Sequence, residues 1–323
     1  MSTPTAEERL RGGLFGLLVG DALGVPYEFQ KASELPPLEE LEMDPPPDFR
    51  RTHAGVPPGS WSDDGAQALC LLETLLFKGF LDLDDFARRL RNWWQYGYMA
   101  AGGRIFDVGL QTTRALGNLD RGVEAAVAGP ADEFDNGNGS LMRVLPLALW
   151  HRGSDRELFD AACQQSLVTH GHPRSQICCG LYCLWARAEL LGSDKPYLHA
   201  VTRTAELLDD QAAWTRELEV KIEPLRSPST KASGYVVDCL HAARFALEQG
   251  TFEAVVKTAV SLGDDTDTTA AVAGGIAGVR FGVGAIPERW LRRVPDREVL
   301  DPIVDQLVER ALESSRMAGF SLS

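Results

Sequence analysis

Gly263-Asp264-Asp265-Thr266-Asp267-Thr268-Thr269 runs directly into Ala270-Ala271-Val272-Ala273-Gly274-Gly275-Ile276-Ala277-Gly278. Three carboxylates and three hydroxyls fall within six residues, and a run of small apolar residues follows at once. Gly274, Gly278 and Gly282 recur every four residues, so on a helix they share one nearly bare face. A bare face lets a neighbouring backbone come close, which predicts a central, buried helix with the acidic cluster at its N-terminus. Asp at a helix start caps free N–H groups and complements the macrodipole, and one or two acids suffice for that. A third, interleaved with hydroxyls, makes a nest of hard oxygen ligands suited to Mg²⁺ or Mn²⁺. Both readings stay open on this stretch alone.

The same glycine period marks the start of the chain, at Gly12, Gly16, Gly20 and Gly24. Thr5 and Glu8 fit a capping box that opens a helix there, running to about residue 23. In a membrane such a stripe would suggest helix dimerisation, but Arg9, Arg11 and Asp21 argue for a soluble core helix. Glycine within a helix costs about 1 kcal/mol relative to alanine, so close packing or a site should justify it. The two striped helices are therefore expected to pack together. Apolar spacing of three and four predicts further helices over 66–78, 84–96, 109–116, 141–150, 156–168, 174–191, 197–208, 234–248, 252–262 and 302–318, and no alternating run predicts a strand. With no repeat, low-complexity tract or linker, one all-α domain over 1–323 is expected. The Pro-rich stretch 31–60 reads as an extended loop of the kind that is functional or mobile. The stretch 211–231 is polar with a weak pattern and reads as an insertion.

At 323 residues, 44% hydrophobic and 24% charged, the chain can bury a sizeable core. A net charge of −14 argues against nucleic acid as the main partner, because phosphate binding needs a basic footprint. Divalent cations held by several Asp residues would offset part of that charge. The six cysteines lack paired zinc spacing and fall mostly in apolar helical runs, so they read as buried reduced thiols. The opening residues show no basic region followed by an apolar core, and no apolar run reaches membrane-spanning length, so neither a signal peptide nor a membrane span is expected. A cytoplasmic protein is expected.

Gly59-Ser60-Trp61-Ser62-Asp63-Asp64-Gly65 forms a second acidic cluster at a second helix start, and alone it reads as a cap with Ser62 at the N-cap. Asn136-Gly137-Asn138-Gly139-Ser140-Leu141-Met142-Arg143 puts alternating glycines before a helix, a turn whose exposed N–H groups suit a phosphate. It lacks the Lys-Ser/Thr of a P-loop, and Asn-Gly is also an ordinary turn. In Thr169-His170-Gly171-His172-Pro173 the histidines could ligate a metal, although a lone His-x-His more often serves hydrogen bonding. Asp107, in Arg104-Ile105-Phe106-Asp107-Val108-Gly109, reads alone as a helix cap.

Taken in order, Gly20-Asp21-Ala22-Leu23-Gly24-Val25-Pro26-Tyr27-Glu28, Trp61-Ser62-Asp63-Asp64, Phe106-Asp107-Val108-Gly109, the segment from Gly137 to Arg143, Ser233-Gly234-Tyr235-Val236-Val237-Asp238 and Gly263-Asp264-Asp265-Thr266-Asp267-Thr268 resemble the ADP-ribosylglycohydrolase family. The likeness runs from about Leu10 to Arg293. It implies a compact, orthogonal all-helical fold with a binuclear Mg²⁺ or Mn²⁺ centre at the floor of a cleft. By motif match, Ser62, Asp63 and Asp64 would supply ligands from one helix start, and Asp265, Asp267 and Thr268 from the other, with Asp267 bridging two ions. Ser62 stands where the family often has Thr, and keeps the hydroxyl. The likeness also sets Asn138, Gly139 and Ser140 on a diphosphate, His170 and Gly171 beside a ribose, and Tyr235 on an adenine. Glu28 resembles the general acid/base of the serine-directed members. Asp107 resembles the carboxylate proposed to assist ribose opening in the arginine-directed members.

The chemistry agrees with that set. A metal pair can grip vicinal ribose hydroxyls without touching the leaving group. Glycosidic cleavage through an oxocarbenium-like state needs a carboxylate to activate water and an acid to protonate the leaving atom. The expected activity is metal-dependent removal of ADP-ribose from a modified protein or small acceptor, a side chain such as arginine foremost, although the residues do not read out the linkage. Two rival readings are an ADP-ribose binder or structural protein without catalysis, and metal-assisted hydrolysis of a nucleotide or phosphoester. Against the first, all six expected ligand positions carry oxygen.

Overall fold

A computed structural model describes residues 3–223 and 229–317. Residues 1–2 of the N-terminal reading, 224–228 of the expected insertion and 318 of the last expected helix lie outside the described residues. Within them the chain forms fourteen α-helices: α1 (Ala6–Gly24), α2 (Asp63–Lys78), α3 (Leu83–Tyr96), α4 (Leu110–Asp120), α5 (Leu145–Trp150), α6 (Asp155–Leu167), α7 (Pro173–Leu190), α8 (Pro196–Leu208), α9 (Ala212–Glu217), α10 (Val236–Ala246), α11 (Phe252–Ser261), α12 (Thr266–Phe281), α13 (Glu288–Leu291) and α14 (Arg297–Met317). The fold is all-α: the described residues contain no strand, only two isolated bridges, Lys31–Gly263 and Gly137–Tyr235.

The two glycine-striped helices pack against each other, antiparallel. A Cβ placed on Gly16 would lie 2.3 Å from the Gly274 carbonyl oxygen, and one on Gly278 would lie 1.8 Å from that of Gly12. Backbone therefore meets backbone along the seam, a contact only glycine permits. The antiparallel sense has a consequence for function. It sets the C-terminal end of α1 beside the N-terminal end of α12, where a Cβ on Gly24 would lie 2.3 Å from the Asp267 Cα.

The buried apolar side chains form one contiguous cluster around this pair, drawing on helices from α1 to α14. All six cysteines are buried and unpaired. The Thr5–Glu8 capping box is present, with the Thr5 N–H donating to Glu8 at 2.7 Å. Two helix starts differ from expectation by four residues or more. α5 begins at Leu145 rather than 141, because Pro146 fixes the first turn and residues 138–144 wind as successive turns, Leu141 and Met142 both donating to the Asn138 carbonyl. α14 begins at Arg297 and carries Pro302 inside it. In the stretch read as an insertion, α9 runs into a π-turn over Leu218–Ile222 whose two end residues are buried, so that part packs on the core. No described helix is long and apolar enough to cross a membrane.

Candidate active site

The site is built where three helix ends and one loop meet. Asp21, on the last turns of α1, is fully buried, and its carboxylate accepts from the Ser62 N–H at 2.9 Å and the Gly65 N–H at 2.8 Å. It thereby caps α2 from outside and fixes the start of that helix to α1. Ser62 caps α2 as well, its hydroxyl accepting from the Asp64 N–H at 3.3 Å. Across the seam, the Thr268 hydroxyl at the start of α12 donates to Asp64 at 3.3 Å. The two acidic helix starts are therefore in contact.

Glu28 follows the single turn Val25–Tyr27 that ends α1, and is 2% exposed. The Phe29 N–H donates to the Asp264 carbonyl at 2.7 Å and the Asp264 N–H to the Gln30 carbonyl at 2.7 Å. That pairing holds Glu28 against the acidic turn, so its carboxyl oxygen lies within 4.8 Å of those of Asp265 and Asp267. Asp107 and His53 bring ligand atoms within the same distance of Glu28. The Glu28 and Asp107 carboxyl groups also shift each other's protonation. Phe29, Asp107 and Asp264 adopt left-handed φ of 61°, 51° and 56°, uncommon for side-chain-bearing residues and clustered where strain accompanies function.

Among the described residues, no salt bridge reaches Asp21, Asp63, Asp64, Asp107, Asp265 or Asp267, and the buried guanidinium of Arg143 donates instead to Gln67 and Gln165. Gln67 in turn donates to Asp63 at 2.9 Å. Burial foremost, and then mutual repulsion, pushes Asp63, Asp64 and Asp267 well above the ordinary carboxylate range. Burial raises Asp265 too, against hydrogen bonds from Asn138 and Thr268 that favour its charge. Burial with the charges of Asp107 and Asp265 lifts Glu28 to about 11, while Asp107 rises to about 6.

Asp64 Oδ2 and Asp267 Oδ2 are buried without a hydrogen-bond partner. Two orphaned carboxylate oxygens amid unneutralised acids and hydroxyls fit a hard divalent cation, which would supply the missing charge and ligation together. The metal-capable groups of described residues are Glu28 with Asp265 and Asp267, and Glu28 with His53 and Asp107; neither contains His170 or His172. The His172 Nδ1 caps α7 by accepting from the Arg174 N–H.

Above this floor opens a cleft of about 760 Å³. Of the residues singled out from the sequence, Glu28, Asp63, Asp107, Asn138, Gly139, His170, Tyr235, Asp265 and Thr268 line it. Ser62, Asp64 and Asp267 are buried beneath. Ser140 and Gly171 do not line the cleft. The Ser140 hydroxyl is fully buried and accepts from Ser166 at 2.8 Å, while Gly171 packs against the Gly129 carbonyl. The glycine turn is held by Gln111, whose side chain accepts from the Gly137 N–H at 3.0 Å, and by Asn138, which donates to Asp265 at 2.8 Å. Burial keeps His170 neutral, with Nδ1 2.7 Å from the Thr169 hydroxyl and Nε2 turned to the glycine turn.

Sequence reading missed three residues here. Asp21 had a signal, a lone acid in an otherwise apolar helix face. His53 and Gln111 had none, since only the tertiary fold brings them to the site.

The profile of the ADP-ribosylglycohydrolase family matches residues 2–316. An ADP-ribosylarginine hydrolase of Pseudomonas putida is 32% identical over 313 residues, covering 95% of this chain and 79% of that protein. An ADP-ribosyl-[dinitrogen reductase] glycohydrolase of Rhodospirillum rubrum is 29% identical, covering 97% of each. A solved structure titled as an ADP-ribosylglycohydrolase-related protein complex superposes with a TM-score of 0.70 at 31% identity, over 95% of this chain and 99% of that one.

Proposed function

Because the chain belongs to the ADP-ribosylglycohydrolase family, and is with it a glycosidase-type hydrolase, we propose that it removes ADP-ribose from a modified acceptor, foremost an arginine side chain of a protein, with the help of two Mg²⁺ or Mn²⁺ ions. The observation that carries this reading is the convergence of Glu28 and Asp107 with Asp265 and Asp267 on the floor of one cleft. The arginine linkage rests on the Pseudomonas putida relative. A cytoplasmic setting fits six buried, unpaired thiols, and the chain is read as one domain on its single contiguous core.

Ser62, Asp63, Asp64, Asp265, Asp267 and Thr268 would hold the ions. When bound, these supply positive charge that fixes and polarises the ribose hydroxyls. The chain's own residues do the rest. The turn at Asn138 and Gly139 binds the diphosphate through the Gly139 N–H, the Asn138 N–H being held by the Gly234 carbonyl, His170 meets the ribose as a neutral imidazole, and Tyr235 offers its ring at the cleft wall. The anionic floor stabilises the positive charge that develops at the anomeric carbon as the glycosidic bond breaks. The Glu28–Asp107 pair holds one proton between two carboxyl groups. One member delivers it to the leaving nitrogen, and the other takes a proton from the water that adds to the anomeric carbon. The number of protons on the pair is thereby restored.

A panel of arginine-, serine- and nucleobase-linked ADP-ribosyl substrates, with and without Mg²⁺ or Mn²⁺, tests the proposal. Metal-dependent release of ADP-ribose from the arginine-linked member is expected. Tight ADP-ribose binding with no release from any member would favour the non-catalytic reading instead.

A further inference from the structure

The loop 31–60 delivers one side chain into the site. Its segment 51–53 is fastened to the end of α1: the Thr52 N–H donates to the Pro26 carbonyl at 3.2 Å, and the Thr52 hydroxyl donates to the Glu28 carbonyl. The same fastening sets His53 Nε2 2.6 Å from Glu28 Oε2. The imidazole also meets two aromatic rings in tilted contacts, with ring centroids 6.2 Å from Phe29 and 5.2 Å from Phe106. The other metal-capable side chains grouped with Glu28 among the described residues are acids: Asp107, Asp265 and Asp267. His53 is thus the one nitrogen-bearing side chain of that group. Burial and the charge of Arg51 hold His53 below its ordinary range, so it meets Glu28 as a neutral hydrogen-bond partner.

We propose that His53 is a positioning residue, which locks the Glu28 carboxyl group in the orientation needed for proton transfer and makes that orientation depend on how the loop 31–60 is seated. The inference rests on the hydrolase reading above. A carboxyl group free to rotate would point away from the leaving atom for most of its time, and small misplacements of a reacting group are costly in rate.

Two replacements separate positioning from packing. His53→Phe keeps a ring beside Phe29 and Phe106 but removes the nitrogen. His53→Gln removes the ring but keeps an amide that can reach Glu28. Positioning predicts that His53→Phe lowers kcat by about 10²-fold, with KM and ADP-ribose affinity within a few-fold, and that His53→Gln recovers most of the loss. Wild-type turnover in His53→Phe, or a loss in His53→Gln that matches its fall in melting temperature, would overturn it. A second readout does not depend on turnover. In ¹⁵N-histidine spectra, the His53 resonance, assigned by its absence from His53→Phe, should shift when Glu28 is replaced by Ala. No shift would sink the contact itself. If wild-type protein cuts no ADP-ribosyl bond but the shift is present, the hydrolase reading fails while the His53–Glu28 pairing stands.

Discussion

Glu28 and Asp107 bring carboxyl oxygens within 4.8 Å of each other, and that pairing decides which variants inform on chemistry. Glu28→Gln keeps shape and hydrogen bonding and removes the transferable proton. General acid–base terms are worth about 10²–10⁴-fold, so turnover should fall that far while ADP-ribose affinity stays within a few-fold. Single-turnover release against calorimetric affinity separates the two. Near wild-type turnover would move the role to Asp107, with Asp107→Asn the variant to make next. Ser140 calls for the opposite expectation. Its hydroxyl faces Ser166 and Cys179 in the core, so a bulky replacement should lower melting temperature, metal binding and ligand binding together. The cleft-lining Asn138 is the better probe of substrate hold. Asn138→Ala removes the amide that grips Asp265 and leaves the adjoining backbone N–H groups in place.

The element that governs the site is the α1–α12 seam, because its antiparallel register brings Glu28 beside Asp265 and Asp267. Gly274→Ala would put a Cβ 2.4 Å from the Gly16 carbonyl oxygen. No rotamer relieves a clash with backbone, so the helices must separate, at a cost of about 3 kcal/mol or more. Gly250→Ala, where an added Cβ meets nothing within 4 Å, should change stability by less than about 0.5 kcal/mol. Urea unfolding of the two variants checks the contrast, and equal losses would mean the seam is looser than it looks. This element was legible in the sequence, since a four-residue glycine period needs a close neighbour and only one other stripe was available. Of the two acidic helix starts, Gly263–Thr269 hints at more than a cap, since capping explains one or two acids and it carries three, whereas Asp63-Asp64 alone reads as a cap. The start of α5 was not legible, because residues 141–144 carry helix-like apolar spacing while the neighbouring turn, pinned by Gln111 and Asn138 to distant residues, winds them otherwise. His53 was invisible because loop 31–60 has no periodicity from which to infer where its side chains point.

At the scale of the molecule, the fold buries an acidic floor that it does not neutralise, and that charge ties stability to pH and to cations. Asp107 and Asp21 are raised to about 6 and about 7, and Glu28 to about 11. A raised carboxyl binds its proton more tightly folded than unfolded. Its stabilising contribution is therefore full below the ordinary value near 4 and is lost as pH rises through the folded value. Metal-free protein should accordingly lose stability between about pH 4 and pH 7 through Asp107 and Asp21. Divalent cations replace those protons, so the rise in melting temperature on adding Mn²⁺ should be large near pH 8 and shrink toward about pH 5. Melting curves across that range, with and without chelator, would show it, and a pH-independent Mn²⁺ effect would place the ions elsewhere. The most direct test is to count and locate the ions themselves, by anomalous scattering from crystals soaked in Mn²⁺. Two peaks within ligand distance of the Asp64, Asp265 and Asp267 carboxylates are expected. An acidic floor without a peak, or ions held by His170 and His172 while the aspartates stay bare, would contradict the metal-dependent hydrolase.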